Sequence, residues 1–169
     1  KYRPGAYAVE YDRFSFIYQF IARNVERNGQ HVQVVLLSME LPKDREISLE
    51  RIEDSLVLLE SAIVRSLRRG DVTSRFSSTQ QVVVLMDASK EDGVMVANRI
   101  LKKYNTLAKE AAITARFDIV EVPHAFSKRT EKNEEKAWQR QSNTLYLPPV
   151  KKKTLQVVLL CRRKNRYLS

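Results

Sequence analysis

Residues 71–86, DVTSRFSSTQQVVVLM, carry the clearest topological signal in this chain. Both ends of the stretch contain residues that are common in strands, and four polar residues separate them. A short polar connection between two such runs is typical of a β-hairpin. We therefore predict two antiparallel strands, Asp71–Phe76 and Gln81–Met86, joined by Ser77–Gln80.

The residues before the hairpin predict a helix, a strand and a second helix. Apolar residues recur every three or four positions between Asp12 and Asn28, which indicates an amphipathic helix. The run His31–Ser38 is short and β-branched, as a central strand is. Ser48 can cap the second helix, and Gly70 can stop it. Its predicted buried stripe comprises Leu49, Ile52, Leu56, Leu59, Ile63 and Leu67.

The residues after the hairpin predict a third helix and a last strand. Ser89 and Asp92 have the spacing of a capping box, and the strand spans Ala112 to about Val122. Between residues 31 and 122 the predicted order is strand, helix, strand, strand, helix, strand. This order is typical of the split βαβ, ferredoxin-like arrangement, an α+β fold with four antiparallel strands behind two helices.

The positive charge of the chain is concentrated at its C-terminal end. Residues 124–169 hold 12 Lys/Arg and 3 Asp/Glu, so +9 of the net charge of +10 falls there. We predict a linker at residues 1–11, a domain at 12–123 and a basic extension at 124–169, with one added strand at Leu155–Cys161. The extension could bind nucleic acid through phosphate contacts, but it carries no nucleic-acid motif, and we expect no such partner.

The single cysteine, Cys161, excludes an internal disulfide and favours a reducing compartment. No apolar run has the length of a membrane span, and no secretory signal precedes the first helix. We therefore expect a cytoplasmic protein. Because the chain begins at Lys1 without a methionine, we also expect that it was cut from a longer protein.

The spacing of charged residues around the hairpin resembles that of the GGDEF family of bacterial nucleotide-signalling domains. Arg68 and Asp71 match an Arg-x-x-Asp motif, Arg75 follows four residues later, and Ser77 begins the turn. The resemblance covers roughly residues 12–122. It implies the nucleotidyl-cyclase palm fold and is strongest for the variant GGDEF-like domains attached to response-regulator receivers.

The positions that the resemblance matches to the catalytic residues of the family carry other side chains. An Asp-x-Asp pattern becomes Ser38, Met39 and Glu40, and the GGDEF turn becomes Ser77–Gln81. The metal-binding positions, Ser38 and Thr79, therefore lack carboxylates, which phosphoryl transfer with two metal ions requires.

The guanine-contacting positions of the family match Glu46 and Ser55 here, which departs from its Asn and Asp. Together with the lost carboxylates and turn glycines, this departure predicts a degenerate GGDEF domain that is not an enzyme and needs no cofactor. Such a domain would act in signal transduction by dimerising or by contacting a partner, under the control of a receiver domain outside this chain.

The resemblance also implies an alternative function, in which the chain is a cyclic di-GMP receptor. Arg68 and Asp71 match the inhibitory site of the family, where an arginine can grip phosphate or guanine and a carboxylate can accept guanine N–H groups. A structural explanation competes with this one, because a helix end favours arginine and a glycine turn favours aspartate.

Histidines and aromatic residues give weaker functional signals. His31 and His124 are the only histidines, and we expect neither to lie near a cysteine or carboxylate in metal-ligand spacing, so we predict no metal site. Aromatic residues crowd the first helix, where Phe16, Tyr18 and Phe20 are predicted to spread around its surface. Core packing explains this crowding, and a contact with a partner or a second copy is the alternative.

Overall fold

The computed structural model of the protein describes residues 5–108 and 112–124. Five strands and three helices make up this part of the chain. In chain order they are β1 (Tyr7–Ala8), α1 (Tyr11–Asn28), β2 (Gln33–Glu40), α2 (Leu49–Val64), β3 (Val72–Ser77), β4 (Gln80–Leu85), α3 (Lys90–Leu107) and β5 (Thr114–Glu121).

The strands form one mixed sheet in the order β1-β3-β4-β2-β5. The predicted hairpin is confirmed, because β3 and β4 pair antiparallel with Val72 opposite Val84. β2 is central and pairs antiparallel with both β4 and β5. Only the two-residue strand β1 is parallel to its neighbour, β3. The predicted fold class, a mainly antiparallel sheet flanked by helices, is therefore confirmed.

Helices cover both faces of the sheet. Alternate residues of β2 point to opposite sides, so Val34 and Leu36 pack with α1, whereas Val35 and Leu37 pack with α2 and α3. Burial on both faces explains why β2 is an almost continuous apolar run. The prediction of helices on one face was incomplete, because α1 forms a third layer on the other face.

α1 is amphipathic, and one stripe of its side chains enters the core. The buried apolar residues are Phe14, Tyr18, Ile21, Ala22 and Val25. Tyr18 therefore belongs to the core stripe, which corrects its prediction as a surface aromatic. Phe16 and Phe20, by contrast, are 65% and 69% exposed. The helix ends at Gly29, whose φ of 66° allows its N–H to donate to the Val25 carbonyl at 2.9 Å.

α2 begins where the sequence predicts but ends before Gly70. Ser48 caps the helix by accepting a hydrogen bond from the Arg51 N–H at 3.3 Å. Its last residue is Val64, and side chains of α3 donate to the carbonyls that follow: Arg99 Nη2 to Ser66 O at 2.7 Å and Lys103 Nζ to Arg65 O at 3.1 Å. These cations satisfy carbonyl groups near the end of the helix, so it needs no glycine there.

One residue of the predicted α2 stripe lies outside the core. Leu49 is 84% exposed, while Leu56, Leu59 and Ile63 of the same stripe are fully buried. Leu49 is the first residue of the helix, one turn before the stripe reaches the core, so its periodicity was not sufficient to bury it.

α3 begins with the predicted capping box. Asp92 N–H donates to Ser89 Oγ at 3.1 Å, and the Asp92 carboxylate accepts from the Ser89 N–H at 3.2 Å. Hydrogen bonds from the Ser89 side chain and backbone, and the charge of Arg68 to a smaller extent, lower the pKa of Asp92.

The predicted segment boundaries at residues 11 and 123 stay predictions. Residues 125–169, including the predicted strand Leu155–Cys161, lie outside the described residues. Among the helices that the structure describes, none has the length and apolar composition needed to cross a membrane.

Candidate functional site

The β3–β4 turn lies against the end of β2, so the fold brings together the two positions matched to metal ligands. Ser38 pairs with Gln80 in the β2–β4 register, and the Met39 N–H donates to the Thr79 carbonyl at 2.8 Å. Ser38 and Thr79 are therefore neighbours in space although 41 positions separate them in the chain.

Neutral side chains fill this junction with a closed hydrogen-bond network. Buried Gln80 donates from Nε2 to Ser38 Oγ at 2.9 Å and accepts from Ser77 Oγ at 3.2 Å. Ser77 Oγ also accepts from the Thr79 N–H at 3.3 Å, which holds the turn closed. The amide oxygen and the amide nitrogen of Gln80 both have hydrogen-bond partners, so burying this side chain leaves neither group unpaired.

Glu40, the carboxylate nearest to Ser38 along β2, forms an ion pair at the surface. Glu40 Oε1 lies 2.6 Å from Arg116 Nε in an ion pair between β2 and β5. Of the two positions matched to guanine contacts, Glu46 is exposed in the β2–α2 connection and Ser55 is buried in α2. Burial raises the pKa of Tyr104, which lies near Ser55 and whose hydroxyl donates to the Ile113 carbonyl at 2.9 Å.

Arg75 occupies a cluster of polar side chains between β3 and α2. Its Nη2 lies 2.7 Å from Glu53 Oε1, and its Nε lies 3.3 Å from Glu60 Oε1. Gln81 Nε2 donates to the same Glu60 oxygen at 2.7 Å. The hydrogen bond to Glu53 is the main reason that the pKa of Arg75 is raised. The seven-residue spacing of Glu53 and Glu60 places both carboxylates on one face of α2, two helical turns apart. This spacing is the sequence pattern that could have indicated the cluster.

A surface groove of about 630 Å³ lies beside this cluster. Residues of β1, the start of α1, α2, β3 and β4 line it, with charged side chains of both signs: Glu10, Arg13, Glu60 and Arg75. The sequence did not predict the groove, because β1 reaches β3 only in the tertiary structure.

Asp71 is buried, and both of its carboxylate oxygens accept backbone hydrogen bonds. Oδ2 accepts from the Arg68 N–H at 2.9 Å, and Oδ1 accepts from the Met86 N–H at 3.1 Å. The carboxylate thus joins the turn after α2 to the end of β4. The Arg68 side chain, in contrast, is exposed. The backbone hydrogen bond joins the two residues of the predicted nucleotide site, but only the Arg68 side chain is accessible to solvent.

Both histidines lie next to one carboxylate, which contradicts the expectation that none is near them. His31 Nδ1 is 2.6 Å from Glu121 Oε1, and His124 Nε2 is 3.8 Å from the same oxygen. Glu121 is 90 residues from His31 in the chain, so local spacing could not reveal this part of the cluster. The three-residue step from Glu121 to His124 is the part of the cluster that the sequence itself displays.

Solved GGDEF structures share this fold. A DGC protein from Thermotoga maritima superposes with a TM-score of 0.57 at 16% identity, over 76% of this chain and 90% of that one. The diguanylate cyclase SiaD from Pseudomonas aeruginosa, solved with its activator SiaC, gives 0.58 at 17% identity over 76% of this chain and 52% of that one.

The GGDEF domain of DgcB from Caulobacter crescentus, solved with c-di-GMP, gives a TM-score of 0.55 at 11% identity, over 80% of this chain and 86% of that one. No protein-family model matches the chain, and no curated protein matches it. At these identities the likeness establishes the fold of GGDEF domains, and function must be argued from the site itself.

Proposed function

We propose that this chain is a GGDEF-fold domain without cyclase activity, which acts in signal transduction through protein contacts. The observation that carries the proposal is the neutral network of Ser38, Ser77 and Gln80 at the junction of β2 with the β3–β4 turn. Two-metal phosphoryl transfer needs oxygen ligands of high charge density at such a junction. A serine hydroxyl that is already hydrogen-bonded to an amide is a poor substitute.

The backbone of the turn supports the same proposal. In the family that the sequence resembles, two glycines let phosphate approach the turn closely, whereas Ser77 and Ser78 carry Cβ atoms here. The Ser77 hydroxyl in addition occupies the turn by accepting from the Thr79 N–H. That N–H is therefore not free to bind a phosphate oxygen.

The exposed face of α1 supports the part of the proposal that concerns protein contacts. Phe16 and Phe20 lie one helical turn apart, and both are more than half exposed. Adjacent exposed aromatics are more common at interfaces than on other surfaces. A second copy of the chain or a regulatory domain is the kind of partner that we propose for this face.

An assay with GTP tests the loss of catalysis. The full chain, incubated with GTP and Mg²⁺ or Mn²⁺, should form no cyclic di-GMP above a protein-free control when the products are separated by chromatography. An active diguanylate cyclase in the same buffer is the positive control. Turnover that persists after repurification and scales with the concentration of this chain would refute the proposal.

A cyclic di-GMP receptor is the second candidate, and the exposure of Arg68 favours it. A guanidinium at the end of α2 can bind phosphate or guanine in a bidentate manner. The position of Asp71 weakens this candidate, because its oxygens already accept from two backbone N–H groups. A receptor would therefore rely on Arg68 without help from that carboxylate.

Calorimetric titration with cyclic di-GMP tests the receptor function. If the chain is a receptor, binding should be micromolar, and Arg68→Ala should weaken it by about 10-fold or more, the loss expected for a charged hydrogen bond. Arg69→Ala, in the neighbouring exposed arginine, is the matched control and should bind normally. Flat heats, or equal losses in both variants, would exclude a specific site at Arg68.

A further inference from the structure

Three potential metal ligands converge where β2 begins and β5 ends. The ligand atoms of His31, Glu121 and His124 all lie within 4.8 Å of one another. The imidazole rings stand edge to face with their centroids 5.1 Å apart. Each side chain is accessible, with exposed fractions of 64% for His31 and 40% for both Glu121 and His124.

The backbone beneath this cluster is fixed by the sheet. Gln33 and Glu121 are opposite each other in the β2–β5 register, and the Val122 N–H donates to the Val32 carbonyl at 2.8 Å. The His31 carbonyl also accepts from the Ala88 N–H at 2.9 Å. Main-chain hydrogen bonds therefore hold the backbone at His31 and Glu121, and His124 follows two residues after Val122.

We propose that His31, Glu121 and His124 form a binding site for a divalent transition-metal ion of the Zn²⁺ class. Two imidazoles and one carboxylate are a donor set that Zn²⁺ accepts in proteins. Metal–ligand bonds of 2.0–2.2 Å in a tetrahedron place ligand atoms about 3.3 Å apart. The present distances of 2.6 and 3.8 Å to Glu121 Oε1 lie on either side of that value, so small rotations of exposed side chains suffice.

The ligand types in the cluster also suit a cation of intermediate softness such as Zn²⁺. Glu121 Oε1 lies 2.6 Å from His31 Nδ1 and 3.8 Å from His124 Nε2, so one carboxylate oxygen faces both nitrogen ligands. A single carboxylate beside two nitrogen ligands does not match the all-oxygen shell that Ca²⁺ and Mg²⁺ prefer. The exposure of the cluster leaves the remaining coordination position to water.

A bound ion would join the start of β2 to the chain that leaves β5. Any ligand that binds only the folded state stabilises it, so the melting temperature should rise with Zn²⁺ concentration. This role does not depend on the proposed signalling function, and the absence of cyclase activity leaves it unchanged.

Calorimetric titration of the full, untagged, chelator-treated chain with ZnCl₂ tests the site. We expect one equivalent to bind with a Kd on the order of micromolar. His31→Ala, His124→Ala and Glu121→Gln should each weaken binding by at least about 10-fold. Because all three side chains are exposed, circular dichroism should show that these variants fold.

Two matched variants isolate the cluster from other ligands. Glu40→Gln removes an exposed, ion-paired carboxylate at the opposite end of the β2–β5 pair and should bind Zn²⁺ normally. Cys161→Ser removes the only thiol and should also leave the affinity unchanged. Co²⁺ should give tetrahedral visible bands in the wild type that His31→Ala abolishes. The absence of binding at Zn²⁺ concentrations up to about 100 times a micromolar Kd, or wild-type affinity in all three ligand variants, would overturn the proposal.

Discussion

Phe14→Ala should lower the free energy of unfolding by about 3–5 kcal/mol, the usual cost of removing a fully buried aromatic ring. Phe14 has no exposed surface and joins α1 to Leu36 and Val82 of the sheet. Its ring also stacks on Tyr18, with centroids 6.5 Å apart. Alanine would leave a cavity between α1 and the sheet that neighbouring side chains can fill only in part.

Chemical denaturation of the wild type and two variants measures this effect. Phe16→Ala is the matched control, since it removes the same ring two residues away from an exposed position. In the monomer it should change the free energy of unfolding by no more than about 0.5 kcal/mol. Equal, small losses in both variants would show that α1 is not an integral layer of the folded domain.

Asp71→Ala should be the most disruptive change outside the apolar core, costing about 2–4 kcal/mol. It removes the acceptors of two backbone hydrogen bonds, from Arg68 and Met86, in a buried position. Each donor that is left without a partner costs about 1–3 kcal/mol. Asp71→Asn should fall between wild type and alanine, because its amide retains only one oxygen for two donors.

Urea denaturation compares these variants with Asp54→Ala, which alters an exposed aspartate of α2. That control should change the free energy of unfolding by less than about 0.5 kcal/mol. If Asp71→Ala were equally mild, the backbone contacts would not explain why aspartate occupies this position. Binding of an external ligand would then be the stronger explanation for the Arg-x-x-Asp motif.

The sequence predicted the local elements well where the signal was itself local. The capping residues Ser48 and Ser89 begin the helices that they were expected to begin, because a cap depends only on the next three residues. The β3–β4 hairpin was equally accessible, since its strands are neighbours in the chain. From these elements their order, and hence the fold class, followed directly.

Predictions failed where the outcome depended on which surface a residue meets. Tyr18 and Phe16 are both aromatic residues of one helix, yet only Tyr18 faces the sheet. Helical periodicity alone did not select between overlapping stripes, because α1 carries aromatic residues on more than one side. The same ambiguity predicted Leu49 as a core residue, although this first residue of α2 is 84% exposed.

The candidate sites differ in the same way: some consist of residues close in the chain, and others form only through tertiary packing. The Arg68 and Asp71 pattern is visible in the sequence because the two residues are three positions apart, but the sequence could not show that the Asp71 carboxylate is buried and accepts from the Met86 N–H. The Arg75 cluster and the groove beside it are formed by side chains from α2, β3 and β1, which are far apart in the chain, so the sequence did not predict them. The nucleic-acid function considered for the basic extension stays a prediction, since residues 125–169 lie outside the described part of the chain.

The amino-acid sequence by itself determined the hairpin of residues 71–86 and the starts of the helices at Ser48 and Ser89. These follow from side-chain chemistry and from interactions between residues close in the chain. The tertiary structure decided that the Gln80 side chain donates a hydrogen bond to Ser38 and that His31 lies beside Glu121. Such contacts depend on strand register, which is set by the packing of the whole sheet and places residues 42 or 90 positions apart in hydrogen-bonding distance.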